Sequence, residues 1–125
     1  MTENEIARIA VNTAYHIHVR LGPVLLESVY EEIMYYELKK KGLKVERQKV
    51  IPVTWDGLTM KLGFRADLII EGKVILELKS VATVLPVHPK QLLTYLRITG
   101  LKLGLLINFN ENLIKHGITR VVNNL

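Results

Sequence analysis

The chain contains no cysteine. That removes disulfides, thiol nucleophiles and cysteine-ligated metal sites together. No apolar run approaches the roughly 20 residues that a membrane-spanning helix requires. The start of the chain, MTENEIARIA, is acidic and polar and does not read as a secretory leader, so a cytoplasmic location is expected. There is no Gly-rich phosphate loop, no Gly-x-Ser-x-Gly elbow and no His-Glu-x-x-His zinc motif. Repeats, low-complexity stretches and linkers are also missing, and 125 residues are expected to form one domain spanning 1–125.

What is present is ordinary globular composition, 49% hydrophobic and 23% charged, enough for a real core. The net charge of +5 permits attraction to a polyanion such as DNA or RNA without requiring it. Part of the excess is one run, Lys39-Lys40-Lys41, at the end of an expected helix, where cations also suit the helix dipole.

The apolar period is helical from residue 3 to about 20, with Ile6, Ile9, Ala10, Thr13, Ala14 and Ile17 on one stripe. Gly22-Pro23 interrupts it, and a second helix is expected from about Val24 to Lys41, stopped by Gly42. Its stripe includes Leu25, Leu26, Val29, Tyr30, Ile33 and Met34. The period then changes to that of strands: Val45 to Trp55, an Asp56-Gly57 hairpin turn, Leu58 to Leu62, Arg65 to Ile70 and Val74 to Lys79. A third helix is expected over His88 to Thr99, with Pro89 in its first turn, and strands over Leu103 to Phe109 and Ile118 to Val122. The class is α/β: a mixed β-sheet flanked by helices that cover both faces.

Two of these strands carry charge where charge is expensive. Val74-Ile75-Leu76-Glu77-Leu78-Lys79 and Ala66-Asp67-Leu68-Ile69-Ile70 are otherwise nearly continuous in apolar residues. An isolated carboxylate in such a setting holds its proton unless it is paired or binds a metal. Glu77 and Lys79 are two apart and share a strand face. If Glu71-Gly72-Lys73 is a three-residue hairpin loop, Ile70 pairs with Val74 and Asp67 falls opposite Glu77, with Cβ atoms roughly 4.5–5.5 Å apart. A two-residue loop would place them on opposite faces. Two carboxylates that close call for a cation between them, and all-oxygen ligation suits Mg²⁺ or Mn²⁺. Lys79 beside such an ion could orient water or stabilise charge on a phosphoryl group. The plain alternative is a cross-strand ion pair between these residues on a solvated face.

Other residues converge less sharply. Glu27, at the edge of the second helix's stripe, could supply a third carboxylate or simply favour the helix N-terminus. Gln91 and Tyr95 are four apart on the third helix and share a face, suited to holding a phosphate or a base. His16 and His18 are two apart on a helix and diverge, and His88 reads as a helix cap.

Asp67 followed after nine residues by Glu77-Leu78-Lys79 resembles the PD-(D/E)XK nuclease signature. More narrowly, Leu21-Gly22-Pro23, Leu26-Glu27-Ser28-Val29-Tyr30-Glu31-Glu32, Phe64-Arg65-Ala66-Asp67-Leu68 and the span from Val87-His88 to Phe109-Asn110 are similar to motifs of the GxxExxY family. The resemblance implies a restriction-endonuclease-like core and a metal-dependent nuclease that hydrolyses phosphodiester bonds of nucleic acid. It implies Asp67, Glu77 and Glu27 as metal ligands of Mg²⁺ or Mn²⁺ and Lys79 as the catalytic lysine. Gln91 and Tyr95 match a Gln-x-x-x-Tyr element placed beside the site in some exonuclease branches. Val24 stands where the family's first glycine falls, and Ala66 where the superfamily has proline. Neither departure removes a functional group. The competing expectation is a non-catalytic nuclease-like module that binds nucleic acid or protein. With no appended DNA-reading domain in view, target choice would come from a partner, a homodimer or a structural feature of the substrate.

Overall fold

Thr2 opens the first helix by accepting a hydrogen bond from the Glu5 amide at 3.1 Å, and Glu3 and Glu5 complement the positive end of the helix dipole. The computed structural model describes residues 1–125, the side chains of residues 61 and 62 excepted. Helix α1 (Glu3–Leu21) buries Ile6, Ala7, Ala10, Thr13, Ala14 and Ile17, the stripe its periodicity announces. It stops at Gly22, whose φ of +69° leaves the helical region.

Helix α2 (Glu27–Lys40) begins three residues later than its apolar pattern suggests. The delay has a local cause. Val24 sits at φ +77°, and the buried Tyr30 hydroxyl donates to the Gly22 carbonyl at 2.5 Å while accepting from the Leu25 amide at 3.3 Å. These contacts fix residues 22–26 as a loop. The buried face of α2 is accordingly Tyr30, Glu31, Met34 and Leu38, whereas Leu26 and Val29 of the expected stripe are exposed.

Strands β1 (Val45–Trp55), β2 (Leu58–Ile70) and β3 (Val74–Lys79) follow, then helix α3 (Val87–Thr99), β4 (Leu103–Asn108), a 3₁₀ turn at Ile114–Gly117, and β5 (Ile118–Val122). They form one five-stranded sheet in the order β1-β2-β3-β4-β5. β3 and β4 are parallel, joined by the α3 crossover, and every other pair is antiparallel. The two short strands expected at 58–62 and 65–70 are one continuous strand, β2. Gly63 makes that continuity sterically feasible, since a Cβ there would lie 1.8 Å from the Ile51 carbonyl oxygen. The register shifts beside it, between Pro52 and Val53. Asp56 and Gly57 both adopt positive φ at the hairpin tip, as a tight Asp-Gly turn requires.

Helices α1 and α2 cover one face of the sheet over Leu68, Ile70, Val74, Leu76, Leu78, Leu103, Leu105 and Ile107. Helix α3 covers the other through Leu92 and Leu96, against Phe64, Ala66, Ile69, Ile75 and Leu106. Among the described residues no helix is long and apolar enough to cross a membrane.

Candidate active site

The turn between β2 and β3 sets the geometry of everything near it. Glu71 and Gly72 take φ of +54° and +62°, and the Lys73 amide donates to the Ile70 carbonyl at 2.9 Å. Ile70 then pairs with Val74, Ile69 with Ile75 and Leu68 with Leu76. The paired register ends there, and just beyond it Asp67 and Glu77 stand close across the two strands, Asp67 Oδ2 accepting from the Leu78 amide. The three-residue loop thus leaves both carboxylates on the same side of the strand pair, with Lys79 on that face two residues on.

Alternation along β2 breaks at Asp67. Phe64 and Ala66 pack under α3, yet so does Ile69, while Leu68 and Ile70 point to the α1–α2 layer. A regular strand keeps even and odd positions on opposite faces. Opposite the break, Gln48 of β1 takes φ +51°, outside the β region, between the regular pairs Arg47–Leu68 and Lys49–Ala66. The local distortion turns the Asp67 side chain toward the edges of both α2 and β3. Its Oδ2 accepts from the Leu78 amide at 2.8 Å, and its Oδ1 from Gln48 Nε2 at 3.3 Å.

Burial dominates the electrostatics. Glu77 is the more affected carboxylate: desolvation, followed by the neighbouring charge of Asp67, pushes its pKa from an ordinary 4.5 up to about 8, against the pull of Lys79. One of its oxygens, Oε1, is buried without a hydrogen-bond partner. Asp67 is also raised, chiefly by burial, with the Leu78 amide opposing and the Glu31 charge adding to the shift. Among the described residues, neither carboxylate nor Lys79 takes part in an ion pair. The plain cross-strand salt bridge is therefore not what holds these charges.

Glu27 lies outside the Asp67–Glu77 pair. It opens α2, is exposed, and accepts from the Ser80 amide at 3.2 Å, just beyond Lys79. Among the described residues no group of three or more histidine or acidic side chains gathers closely enough to hold an ion. The acid of α2 that approaches Asp67 is Glu31, one turn later and buried. It accepts from Arg47 Nε at 2.7 Å and from Gln48 Nε2 at 2.5 Å, and Arg47 also pairs with Glu32.

Tyr95 approaches from α3. Its ring stacks on Phe64 with centroids 3.7 Å apart and planes 3° from parallel. Burial raises its pKa, with the Glu77 and Asp67 charges adding and Gln91 opposing, which places the phenol within electrostatic reach of both carboxylates. Gln91 itself is exposed one turn earlier.

The segment after Lys79 is pinned on two sides. Ser80 Oγ donates to the Leu25 carbonyl at 2.6 Å. The fully buried Asn108, paired with Lys79 in the parallel register, accepts from the Val81 amide at 3.1 Å and donates to the Val81 carbonyl at 2.9 Å. An open groove lined by Val24, Leu26, Glu27, Ser28, Ser80 and Asn110 lies at this end of the sheet. The histidines stand apart. His88 Nδ1 accepts from the Leu85 amide at 3.2 Å beside the α3 start, and His18 Nε2 contacts the Glu111 carbonyl at 2.7 Å.

Sequence reasoning passed over Glu31, Gln48 and Asn108. Glu31 had a visible signal, standing four residues after Glu27 and one after the buried Tyr30. Gln48 and Asn108 had none.

The chain matches the family model for the PD-(D/E)XK nuclease superfamily over residues 4–121. Its fold is similar to the crystal structure of SSO0001, with a TM-score of 0.57 and 23% identity over 79% of this chain. The match spans about half of that protein, 51% of its length. No curated protein matches the chain.

Proposed function

The chain belongs to the PD-(D/E)XK nuclease superfamily, and from that premise we propose that it is a metal-dependent nuclease hydrolysing phosphodiester bonds of DNA or RNA. The observation that carries this reading is the unpartnered buried oxygen of Glu77 facing Asp67. A carboxylate oxygen out of water with no donor is costly, and a divalent cation removes that cost. The donor set is all oxygen, which fits Mg²⁺ or Mn²⁺. Asp67 and Glu77 would hold the ion; on the α2 side Glu27, expected as a third ligand, reaches only the Ser80 amide, and Glu31 is the acid beside Asp67. When bound, the ion supplies Lewis-acid polarisation of a phosphoryl oxygen and lowers the pKa of the attacking water.

The remaining chemistry belongs to the chain's own side chains. Lys79, held on the Glu77 face and free of an ion pair among the described residues, directs its cation to the negative charge that grows on the phosphoryl group during water attack. Gln91 and Tyr95 sit where an amide and a phenol can contact substrate on the α3 side. The anchored Ser80–Val81 backbone keeps Lys79 in place. We assign the chain to the GxxExxY branch, which is supported by Val24. It occupies that family's glycine position and takes the positive φ of +77° that a glycine adopts freely.

The test is a binding titration of wild type and Asp67→Asn across a salt series, paired with a cleavage assay in Mn²⁺. Affinity should fall steeply with salt as counterions are released. Without metal, Asp67→Asn should bind at least as well as wild type, since it removes a charge facing phosphate, yet cleave nothing. A protein that binds no single-stranded, duplex or branched nucleic acid at low salt would sink the reading. Retained binding with no cleavage by wild type would instead favour the non-catalytic module.

A further inference from the structure

We propose that Gln48 is a positioning residue of this site, bridging Glu31 to Asp67 so that Asp67 presents a fixed carboxylate to a divalent cation. The inference rests on the metal-dependent reading above. It starts from an oddity of the backbone. Gln48 is not glycine, asparagine or aspartate, yet it holds φ +51° in the middle of a strand. Such a conformation persists only where its surroundings impose it. The result is a side chain whose single amide nitrogen reaches two acids, Glu31 Oε1 at 2.5 Å and Asp67 Oδ1 at 3.3 Å. An amide NH₂ has two protons, one for each acceptor.

The bridge is braced from behind. Glu31 is buried and its other oxygen accepts from Arg47 Nε at 2.7 Å. Arg47 is fastened in turn to Glu32. With Leu78 donating to Oδ2 at 2.8 Å, both oxygens of Asp67 are tethered and its plane is set. The neutrality of the bridging group matters as much as its reach. A lysine at this position could link the same two acids, but its charge would cancel the field that attracts a cation. An amide orients Asp67 and leaves that field in place. Outer-shell partners of this kind typically change metal affinity by about 10–100-fold when removed.

The experiment measures Mn²⁺ binding by calorimetry on the full chain without nucleic acid, alongside thermal melts in chelator. Gln48→Ala should fold and weaken Mn²⁺ binding by at least about tenfold. Gln48→Lys should melt at or above the wild-type temperature, because it pairs with both acids, yet bind Mn²⁺ no better than Gln48→Ala. A merely structural Gln48 predicts that Gln48→Ala loses stability while its Mn²⁺ affinity, measured where it is folded, stays that of wild type. Unchanged Mn²⁺ affinity in Gln48→Ala, with wild type binding normally, overturns the role of Gln48 alone. Failure of wild type to bind Mn²⁺ overturns the metal-dependent reading and this inference with it.

Discussion

Replacing Glu77 with glutamine should make the metal-free protein more stable at alkaline pH, although Glu77 is the central acid of the site. In the folded chain its pKa rises from an ordinary 4.5 to about 8, so across that window the folded state keeps a proton that the unfolded state releases. The unfolded chain binds fewer protons, and stability therefore falls as pH rises. Relative to conditions below pH 4.5, the loss accumulates up to pH 8 and is complete above it. At 1.36 kcal/mol per pH unit the full effect approaches about 5 kcal/mol, of which about 2–3 kcal/mol falls between pH 6 and 9. Asp67 is raised for the same reason, and the two acids titrate as a pair. For a chain of this size 2–3 kcal/mol corresponds to a melting shift of about 10 °C. Denaturant titrations in chelator at several pH values should show wild type losing that stability while Glu77→Gln stays nearly flat. Millimolar Mn²⁺ should raise the wild-type melting temperature, and more so at higher pH, because the ion displaces the retained proton. Parallel pH profiles for wild type and Glu77→Gln in chelator would refute the claim that a desolvated carboxylate with one unpartnered oxygen sits there.

Lys79→Met keeps bulk and removes the charge. Mn²⁺ affinity should stay within a few-fold of wild type while the cleavage rate drops by at least about 10², the usual cost of losing a charge-stabilising group; equal rates in a single-turnover assay would remove Lys79 from the mechanism. Val24→Gly should stabilise the fold. Val24 is 81% exposed, so little packing is lost, and relief of a β-branched residue at φ +77° outweighs the added chain entropy by about 1 kcal/mol. An unchanged or lower midpoint in urea would show that the 22–26 loop tolerates valine without strain.

Periodicity alone marked α1, β1, β3, α3 and β5, because burying one face of a regular element writes its period into the chain. It failed at Leu58–Ile70. Gly63 looks like a break between strands when seen as a letter, and only the close approach of the Ile51 carbonyl shows that its missing Cβ permits one continuous strand. It failed also at the start of α2. The sequence pattern there extends back to Val24, but the Tyr30 hydroxyl holds the preceding loop out of the helix.

The closeness of Asp67 and Glu77 was within the reach of the sequence, since a short hairpin transmits its register over the paired residues Leu68 to Ile70 without help from the rest of the fold. Loop length and the positive-φ tolerance of Gly72 fix which residues face each other, and a one-residue slip would have separated the acids. Which further groups surround that pair was decided only by tertiary structure. Glu27 and Glu31 lie four apart and share a helix face, so sequence cannot say which one reaches Asp67. The choice is made by the depth at which α2 packs, with Tyr30 and Met34 buried beneath it, and it falls on Glu31. Gln48 enters the site through a backbone torsion that no side-chain pattern encodes. That torsion lies opposite the point where β2 departs from regular alternation, between the pairs Arg47–Leu68 and Lys49–Ala66.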